Sequence, residues 1–325
     1  MILYKNGYEP YIDFLKGYMI LCVLFVHASA VWGPLCNYSL FFLWGCAPTG
    51  CFMLISTMHH FRHGLREAKF SLPKQLKNVL FPFLILQTLI IIGVIGFKSV
   101  NHFDYDKIIY LIQSGGYGVG SYFPWVYIQY ILLMALLTPI IRRIKNKRIL
   151  LLFFLALSVL IEYLCCHLQI DDRWYRILVM RFPFLIYLGL ILDEEGLKIT
   201  KSRAVFSVIG FVFIVIFVYG NVNLEPFFYY KSWKAYHWVC YPYLAFFLTF
   251  MVYQIYKKTE GSKFSKMMLR IGKASYGIFL FQAMWYLLPY SEKNVIMISL
   301  YVIVSMIICT VCGILLKEKV LDRVL

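Results

Sequence analysis

Charged residues are scarce in this sequence. Of its 325 residues only 15% are Asp, Glu, Lys or Arg, while 61% are apolar and 19% are aromatic. Soluble domains have about a quarter charged and about half apolar residues, so this composition excludes an ordinary soluble globular protein. The mean hydropathy of +0.72 supports the same conclusion. We therefore expect an all-α polytopic membrane protein.

Acidic residues are half as common as basic ones, 16 against 32, which gives a formal net charge of +16. Such a surplus can indicate a nucleic-acid partner, and its distribution along the chain tests that possibility. If the N-terminus is cytoplasmic, 24 of the 32 basic residues fall in tails and loops on the cytoplasmic side. This asymmetry is typical of membrane topology, so we expect both termini in the cytoplasm and no nucleic-acid partner.

Cysteine pairs with the spacing of a zinc site are missing. The nine cysteines lie mostly inside apolar runs and form no pair of C-x-x-C motifs, which predicts small buried apolar residues and no metal site. No small-residue cleavage site follows the first apolar stretch, so no cleavable signal peptide is expected.

The sequence contains many long apolar runs, each bounded by charged or turn residues. Runs of about 16 to 22 residues predict ten transmembrane helices in one domain covering residues 1–325. The predicted spans are 14–32, 37–57, 79–97, 122–141, 149–167, 177–192, 204–221, 239–256, 274–290 and 295–316. No internal repeat or long flexible linker is visible.

Lys16 and His27 lie within the first predicted span. Eleven residues are close to three helical turns, so the two side chains share one face about 16 Å apart along the axis. Ionisable groups inside a span are costly and indicate function by default. Taken singly, Lys16 is also compatible with a stem that reaches the inner interface, and His27 with a packing role.

Further polar groups fall at a similar predicted depth. Glu162 and Arg181 predict either a buried ion pair between adjacent helices or two groups lining the same cavity as His27. Trp125 and Gln129, one turn apart, suit a sugar ring, and Trp125 equally suits an interfacial aromatic belt. The aromatic loop 222–238 likewise suits either stacking on sugar rings or an interfacial aromatic belt.

A basic cluster precedes the third predicted span. Arg62, Arg66, Lys74 and Lys77 lie close together in sequence, and the last two are spaced i, i+3. Such a pair can bind phosphates. Membrane topology and contact with anionic lipid explain the cluster as well.

Several short motifs occur in the order known from one family. They are Tyr11-Ile12-Asp13-Phe14-Leu15-Lys16-Gly17 with His27, Lys74-Gln75-Leu76-Lys77 before Phe81-Pro82-Phe83, Pro124-Trp125, Arg181-Phe182-Pro183-Phe184 running to Gly189, and Ser275-Tyr276-Gly277-Ile278. Over most of its length the chain resembles the acyltransferase-3 family of integral membrane O-acyltransferases.

The chain departs from that family at three places. Lys16 stands where arginine is usual, and Lys74 and Lys77 replace an Arg-x-x-Arg pair. Lysine keeps the charge but loses the bidentate geometry of arginine. Gln282 stands where many members have a histidine, so it can hydrogen-bond a substrate but cannot serve as a proton-transfer group.

The resemblance implies transfer of an acyl group, usually acetyl, from cytoplasmic acyl-CoA to a hydroxyl of a cell-envelope glycan, an exopolysaccharide or its lipid-linked precursor. The enzyme would be a multi-pass protein of the inner (cytoplasmic) membrane, with acetyl-CoA as co-substrate and no tightly bound cofactor. Since only nine residues follow the last predicted span, we expect no fused SGNH domain. The acceptor would then bind directly or through a separate protein.

The implied roles fall into three sets. His27 acts as general base or as acyl relay, and Asp13, Lys16 and Arg181 orient the site or balance charge. Arg62, Arg66, Lys74 and Lys77 bind acyl-CoA. The acceptor cavity is lined by Trp125, Gln129, Glu162, Arg181, Ser275 and Gln282.

Two other classes of protein fit some of these features. Ten helices with a few buried ionisable groups also suit a transporter or flippase for a lipid-linked saccharide or small solute. Against it, the chain shows no inverted repeat. A haem or metal protein is a third possibility, because the histidines at 59, 60 and 63 cluster at the end of the second predicted span. They lie in a basic loop, however, where histidines are unremarkable.

Overall fold

The computed structural model describes residues 10–29, 40–61, 72–97, 105–195, 249–288 and 294–324, with a few isolated positions between 205 and 212. Every regular element in these ranges is a helix, and they include no strand. The predicted all-α class is therefore confirmed for the described part.

We number the helices in chain order. The first five are α1 (Pro10–Ser29), α2 (Leu40–His60), α3 (Leu72–Gln75, a π-helical segment Leu76–Leu80, and Phe81–Phe97), α4 (Tyr105–Ser114) and α5 (Phe123–Arg143). Then follow α6 (Lys147–His167), α7 (Asp172–Ile177), α8 (Pro183–Glu195), α9 (249–259), α10 (Lys263–Lys273), α11 (Ser275–Trp285) and α12 (Val295–Leu316), which continues as a π-helical segment Lys317–Leu321 and Asp322–Val324.

Five helices of the described part are long and apolar enough to cross a membrane. These candidate spans are Pro10–Ala28, Leu72–Gly93, Phe123–Arg143, Lys147–His167 and Val295–Leu321, and Pro183–Leu192 is a shorter apolar helix. Each overlaps a span predicted from the sequence. The total of ten spans and the cytoplasmic termini stay predictions, and most of the predicted span 204–221 lies outside the described residues.

The sixth predicted span, 177–192, begins too early. The structure ends α7 at Ile177, forms a short 3-10 turn at Val179–Arg181 and starts α8 only at Pro183. Proline suits the first turn of a helix, because it has no N–H to donate and its φ is fixed near the helical value. The start of α8 at Pro183 therefore follows from the sequence.

Helix α1 contacts α2, α10, α11 and α12. Glycine permits the closest of these approaches: a Cβ atom at Gly17 would lie 2.3 Å from the backbone oxygen of Met268, and one at Gly272 would lie 1.6 Å from that of Asp13. A similar crossing joins α11 to α12, where a Cβ at Gly313 would lie 2.3 Å from Ile278 Cα. Small residues that bring backbones together are typical of helix packing in membranes.

The cysteines of the described part are free thiols. Cys51, Cys165 and Cys309 are buried, while Cys22, Cys166 and Cys312 are partly buried. This agrees with the interpretation of these cysteines as small apolar packing residues.

Candidate active site

His27 and Gln282 meet across two helices. His27 lies in the last turn of α1 and Gln282 in α11, and 3.3 Å separates His27 Nδ1 from Gln282 Oε1. Gln282 is fully buried and His27 is half-buried. Tyr286, one turn after Gln282, donates its hydroxyl hydrogen to the backbone oxygen of Leu24 at 3.2 Å and so ties α11 to α1 beside the pair.

Among the described residues, the second polar atom of the Gln282 amide has no hydrogen-bond partner. Its Nε2 is buried, and the structure as described places no hydrogen-bond acceptor beside it. A buried polar group left without a partner is destabilising by ~1–3 kcal/mol. Such a group is uncommon in a folded protein and marks a position where a ligand oxygen would be stabilised.

A glycine-rich turn between α4 and α5 packs against this pair. Gly115, Gly116, Gly118 and Gly120 all have positive φ, a backbone conformation that favours glycine. A Cβ atom at Gly120 would lie 3.0 Å from Phe279 Cε2 and 3.6 Å from His27 Cε1. The turn therefore forms one wall beside the imidazole.

Side chains from α3 and α5 hold the turn. Gln87 of α3 accepts from the Tyr117 backbone N–H at 2.7 Å and donates to the Tyr117 backbone oxygen at 3.0 Å. Trp125 donates its indole N–H to the backbone oxygen of Gly115 at 2.8 Å. These bonds satisfy backbone groups that the irregular chain leaves without helical partners.

Replacing Gln87 by Leu should loosen the glycine-rich turn. Leucine keeps the volume but leaves both Tyr117 backbone groups without their partner, at a net cost of about 1 kcal/mol for each bond. The two losses together amount to about 2 kcal/mol, so we expect amide hydrogen exchange over residues 115–121 to become about 30-fold faster. The neighbouring Thr88→Val is the control, because the Thr88 hydroxyl bonds only within its own helix, to the Leu84 oxygen. Equal exchange rates in both variants would contradict the assigned role of Gln87.

One face of α11 connects the pair to the beginning of α3. Tyr276, Phe279, Gln282 and Tyr286 follow each other at intervals of three or four residues, so they share that face. The Tyr276 hydroxyl donates to the backbone oxygen of Val79, and its ring stacks on that of Phe279 at a centroid distance of 5.9 Å. From Tyr276 to Tyr286 the helix rises about 15 Å.

Two of the basic residues predicted to bind phosphates, Lys74 and Lys77, lie near the far end of this face. Lys74 and Lys77 are exposed, and Lys77 belongs to the π-helical segment that also contains Val79. Segments of π-helix are often found at functional sites. Arg62 and Arg66 lie outside the described residues, so their positions stay predictions.

Asp13 and Lys16 form an ion pair of their own, with 3.3 Å between Lys16 Nζ and Asp13 Oδ1. The pair lies near the start of α1, where Lys16 is about 16 Å and Asp13 about 21 Å from His27 along the helix axis. The structure therefore does not bring these two side chains to the imidazole. It places them at the end of α1 next to α10, and α10 leads directly into Ser275 and Tyr276.

Gln129 hydrogen-bonds to the irregular backbone between α7 and α8. Its Nε2 donates to the backbone oxygens of Ile177 at 2.9 Å and Trp125 at 3.2 Å, and its Oε1 accepts from the Val179 N–H at 3.3 Å. Trp125 donates its indole N–H to the backbone as well. The polar side-chain atoms of both residues predicted to bind a sugar therefore already form hydrogen bonds with the backbone. Contact with a sugar would have to use their remaining surfaces.

Glu162, Arg181 and Ser275 complete the predicted set. Glu162 is fully buried in α6 and accepts a hydrogen bond from the Tyr175 hydroxyl. The Arg181 backbone lies in the 3-10 turn, and its side chain is outside the described part, so the ion pair with Glu162 stays a prediction. Ser275 is half-buried at the first position of α11.

Comparison with known proteins identifies the family of the chain that carries this site. A family model described as an acyltransferase domain matches residues 9–316, a range that includes His27, Gln282 and the glycine-rich turn. The chain belongs to the acyltransferase-3 family. No curated protein and no solved structure matches it. The resemblance inferred from the motifs is thereby confirmed, and the protein is a membrane acyltransferase.

The sequence interpretation missed several residues of this acyltransferase that form or hold the surroundings of the His27–Gln282 pair and the glycine-rich turn. Gln87, Gly120, Phe279 and Tyr286 were not singled out. The signals were present: four glycines occur within residues 115–120, and α11 has aromatic residues at helical spacing. Neither signal identifies its partner helix, because the contacts join residues far apart in sequence.

Proposed function

We propose that this acyltransferase moves an acyl group, most simply acetyl, from cytoplasmic acyl-CoA to a hydroxyl of a cell-envelope or exopolysaccharide glycan or its lipid-linked precursor. It would do so in the cytoplasmic membrane. The observation that carries the proposal is the α11 face, which runs from the Lys77 segment to the buried pair of His27 and Gln282.

The donor would enter at the end of the bundle where α3 begins. Lys74 and Lys77 would bind the phosphates of CoA as point charges, with Arg62 and Arg66 adding positive charge. The pantetheine arm is long and thin, so it fits a path along Tyr276 and Phe279. This path would bring the thioester toward His27.

His27 would activate the acceptor. A sugar hydroxyl is a poor nucleophile at neutral pH, and an imidazole is the side chain best suited to take up its proton there. In the tautomer with hydrogen on Nδ1, His27 donates to Gln282 Oε1, which leaves the Nε2 lone pair as the base. As the hydroxyl oxygen attacks the thioester carbonyl, Nε2 takes its proton. The carbon–sulfur bond then breaks, the sulfur takes that proton from Nε2, and CoA leaves as the free thiol.

A relay is the other route to the same product. His27 Nε2 would itself attack the thioester carbonyl, and the carbon–sulfur bond would break to release the CoA thiolate. The acceptor hydroxyl would then take the acyl group from Nε2, and its proton would pass to the regenerated Nε2 and from there to the thiolate. In both routes negative charge develops on the acyl oxygen. The Gln282 Nε2, which is buried without a partner in the described structure, is suited to donate to that oxygen.

The other predicted residues would act around this centre. Asp13 and Lys16 lie at the proposed donor end, so we assign them charge balance beside CoA and not beside the hydroxyl. Trp125, Gln129, Glu162, Arg181 and Ser275 stay candidates for the walls of the acceptor cavity. Of these, Trp125 would act through the glycine-rich turn that it holds.

Acetyl-CoA binding tests the donor end directly. Calorimetry on the detergent-purified protein should show binding that Lys74→Ala/Lys77→Ala weakens about 5- to 30-fold, because each lost charge contact is worth roughly 0.5–1 kcal/mol. Lys145→Ala/Arg148→Ala removes two exposed basic residues from the start of α6 and the connection before it. It should leave the affinity unchanged.

Two results would contradict the donor site. Equal weakening by both double variants would show that only the net charge matters. A folded protein that binds no acetyl-CoA would favour the transporter or flippase, which has no reason to recognise CoA.

A further inference from the structure

The exposed side of α10 has a basic stripe. Its four basic residues, Lys263, Lys266, Arg270 and Lys273, are spaced by three, four and three positions, so they follow one side of the helix. All four are exposed to solvent. The opposite side packs on α1 through Met268, Ile271 and Gly272, among others.

Two large apolar side chains border this stripe. The exposed fractions of Phe264 and Met267 are 46% and 53%. A basic stripe beside exposed apolar side chains is typical of helices that lie in a membrane interface. With eleven residues, α10 is only about 16 Å long, too short to cross a bilayer.

The position of α10 in the bundle is compatible with the boundary between the hydrocarbon and the headgroups of a bilayer. Arg270 donates two hydrogen bonds of 2.8 Å to Glu318, which lies two residues beyond the apolar helix Val295–Leu316. The hydrogen bonds and charge of Glu318 raise the pKa of the Arg270 guanidinium, so it stays positively charged. The glycine contact between Gly272 and Asp13 fixes α10 near the start of α1. Both anchors lie at ends of apolar helices, where a bilayer changes from hydrocarbon to headgroups.

We propose that the exposed side of α10 binds the anionic headgroups of membrane phospholipids. Lys263 and Lys266 contact the lipid phosphates, and Met267 and the exposed edge of Phe264 lie against the acyl chains. Positive charge beside apolar surface is the complement of an anionic lipid, whereas a soluble acidic partner would leave the apolar pair in water. This surface does not depend on the proposed transfer reaction.

Native mass spectrometry of the full chain tests the surface. Phosphatidylglycerol and phosphatidylcholine with the same acyl chains are titrated separately onto the detergent-purified protein, and the dissociation constant of each lipid is measured. Near an anionic surface each lysine contributes about fivefold in affinity. We expect a clear preference for phosphatidylglycerol, and Lys263→Gln/Lys266→Gln should reduce it about 10- to 30-fold.

The control variant removes the same charge elsewhere. Lys145→Gln/Arg148→Gln should keep the preference, because these exposed residues do not lie on α10. The proposal is overturned if wild type shows no preference or if both double variants lose it equally. It is also overturned if added acetyl-CoA displaces the lipid, since the stripe would then belong to a CoA site.

Discussion

His27→Ala is expected to lower acyl transfer by at least about 100-fold, up to about 10,000-fold, the range that a positioned general acid or base contributes. The loss should fall on the rate of the chemical step. Acetyl-CoA affinity should change little, because the proposed phosphate contacts at Lys74 and Lys77 lie at the other end of the α11 face. A large loss of transfer with retained binding is the expected signature of a group that acts on the reacting atoms.

The measurement is release of the free CoA thiol in native membranes, which contain the acceptor, together with calorimetry on the purified variant. His167→Ala is the matched control. His167 is exposed at the end of α6, where its ring stacks on Tyr163 at 6.0 Å, far along the chain from the pair. It should retain full transfer. A His27→Ala protein with wild-type thiol release would remove His27 from the mechanism.

Gln282→Leu separates positioning from chemistry. Leucine keeps the volume but removes the acceptor for His27 Nδ1–H and the buried Nε2 donor. We expect an intermediate loss of transfer, smaller than that of His27→Ala, since the base itself is still present. An equal loss in both variants would instead indicate that the two side chains act as one unit.

The helices could be predicted from the sequence because each apolar run is long, and length and composition suffice to indicate a span. His27 could be predicted because an ionisable group within such a run is costly. Its contact with Gln282 could not, since 255 residues separate the two positions. Helical periodicity gives the face of one helix but not the helix that faces it.

Short elements in the connections were harder to predict. The connection between the predicted spans 239–256 and 274–290 contains α10, whose buried side packs on α1. The roles of Trp125 and Gln129 depend on irregular backbone at Gly115 and Ile177, and no pattern shows which side chain satisfies such groups. The part that could not be predicted is therefore mostly backbone that leaves a helix.

Gly272→Ala is expected to destabilise the protein strongly. A Cβ atom at this position would lie 1.6 Å from the Asp13 backbone oxygen, 2.6 Å from the Asp13 carbonyl carbon and 2.9 Å from the Gly17 nitrogen. All three are backbone atoms, so no side chain can rotate away and the two helices must separate. Overpacking typically costs 1–3 kcal/mol, and a backbone clash belongs at or above the upper end, about 3 kcal/mol.

Thermal unfolding in detergent, followed by tryptophan fluorescence, measures the effect. A loss of about 3 kcal/mol should lower Tm by at least about 5 °C at a fixed scan rate. A variant with the Tm of wild type would mean that α10 and α1 do not approach this closely.

Gly93→Ala is the control that distinguishes a specific clash at residue 272 from the general effect of replacing a glycine by alanine. Gly93 lies inside α3, and a Cβ there would meet nothing within 4 Å. Alanine in an open helical position is more stable than glycine by about 0.5–1 kcal/mol, because it restricts the unfolded chain. The same substitution should therefore raise Tm at residue 93 and lower it at residue 272. This opposite sign can arise only from the surroundings of the two glycines, and at residue 272 those surroundings are the backbone of α1.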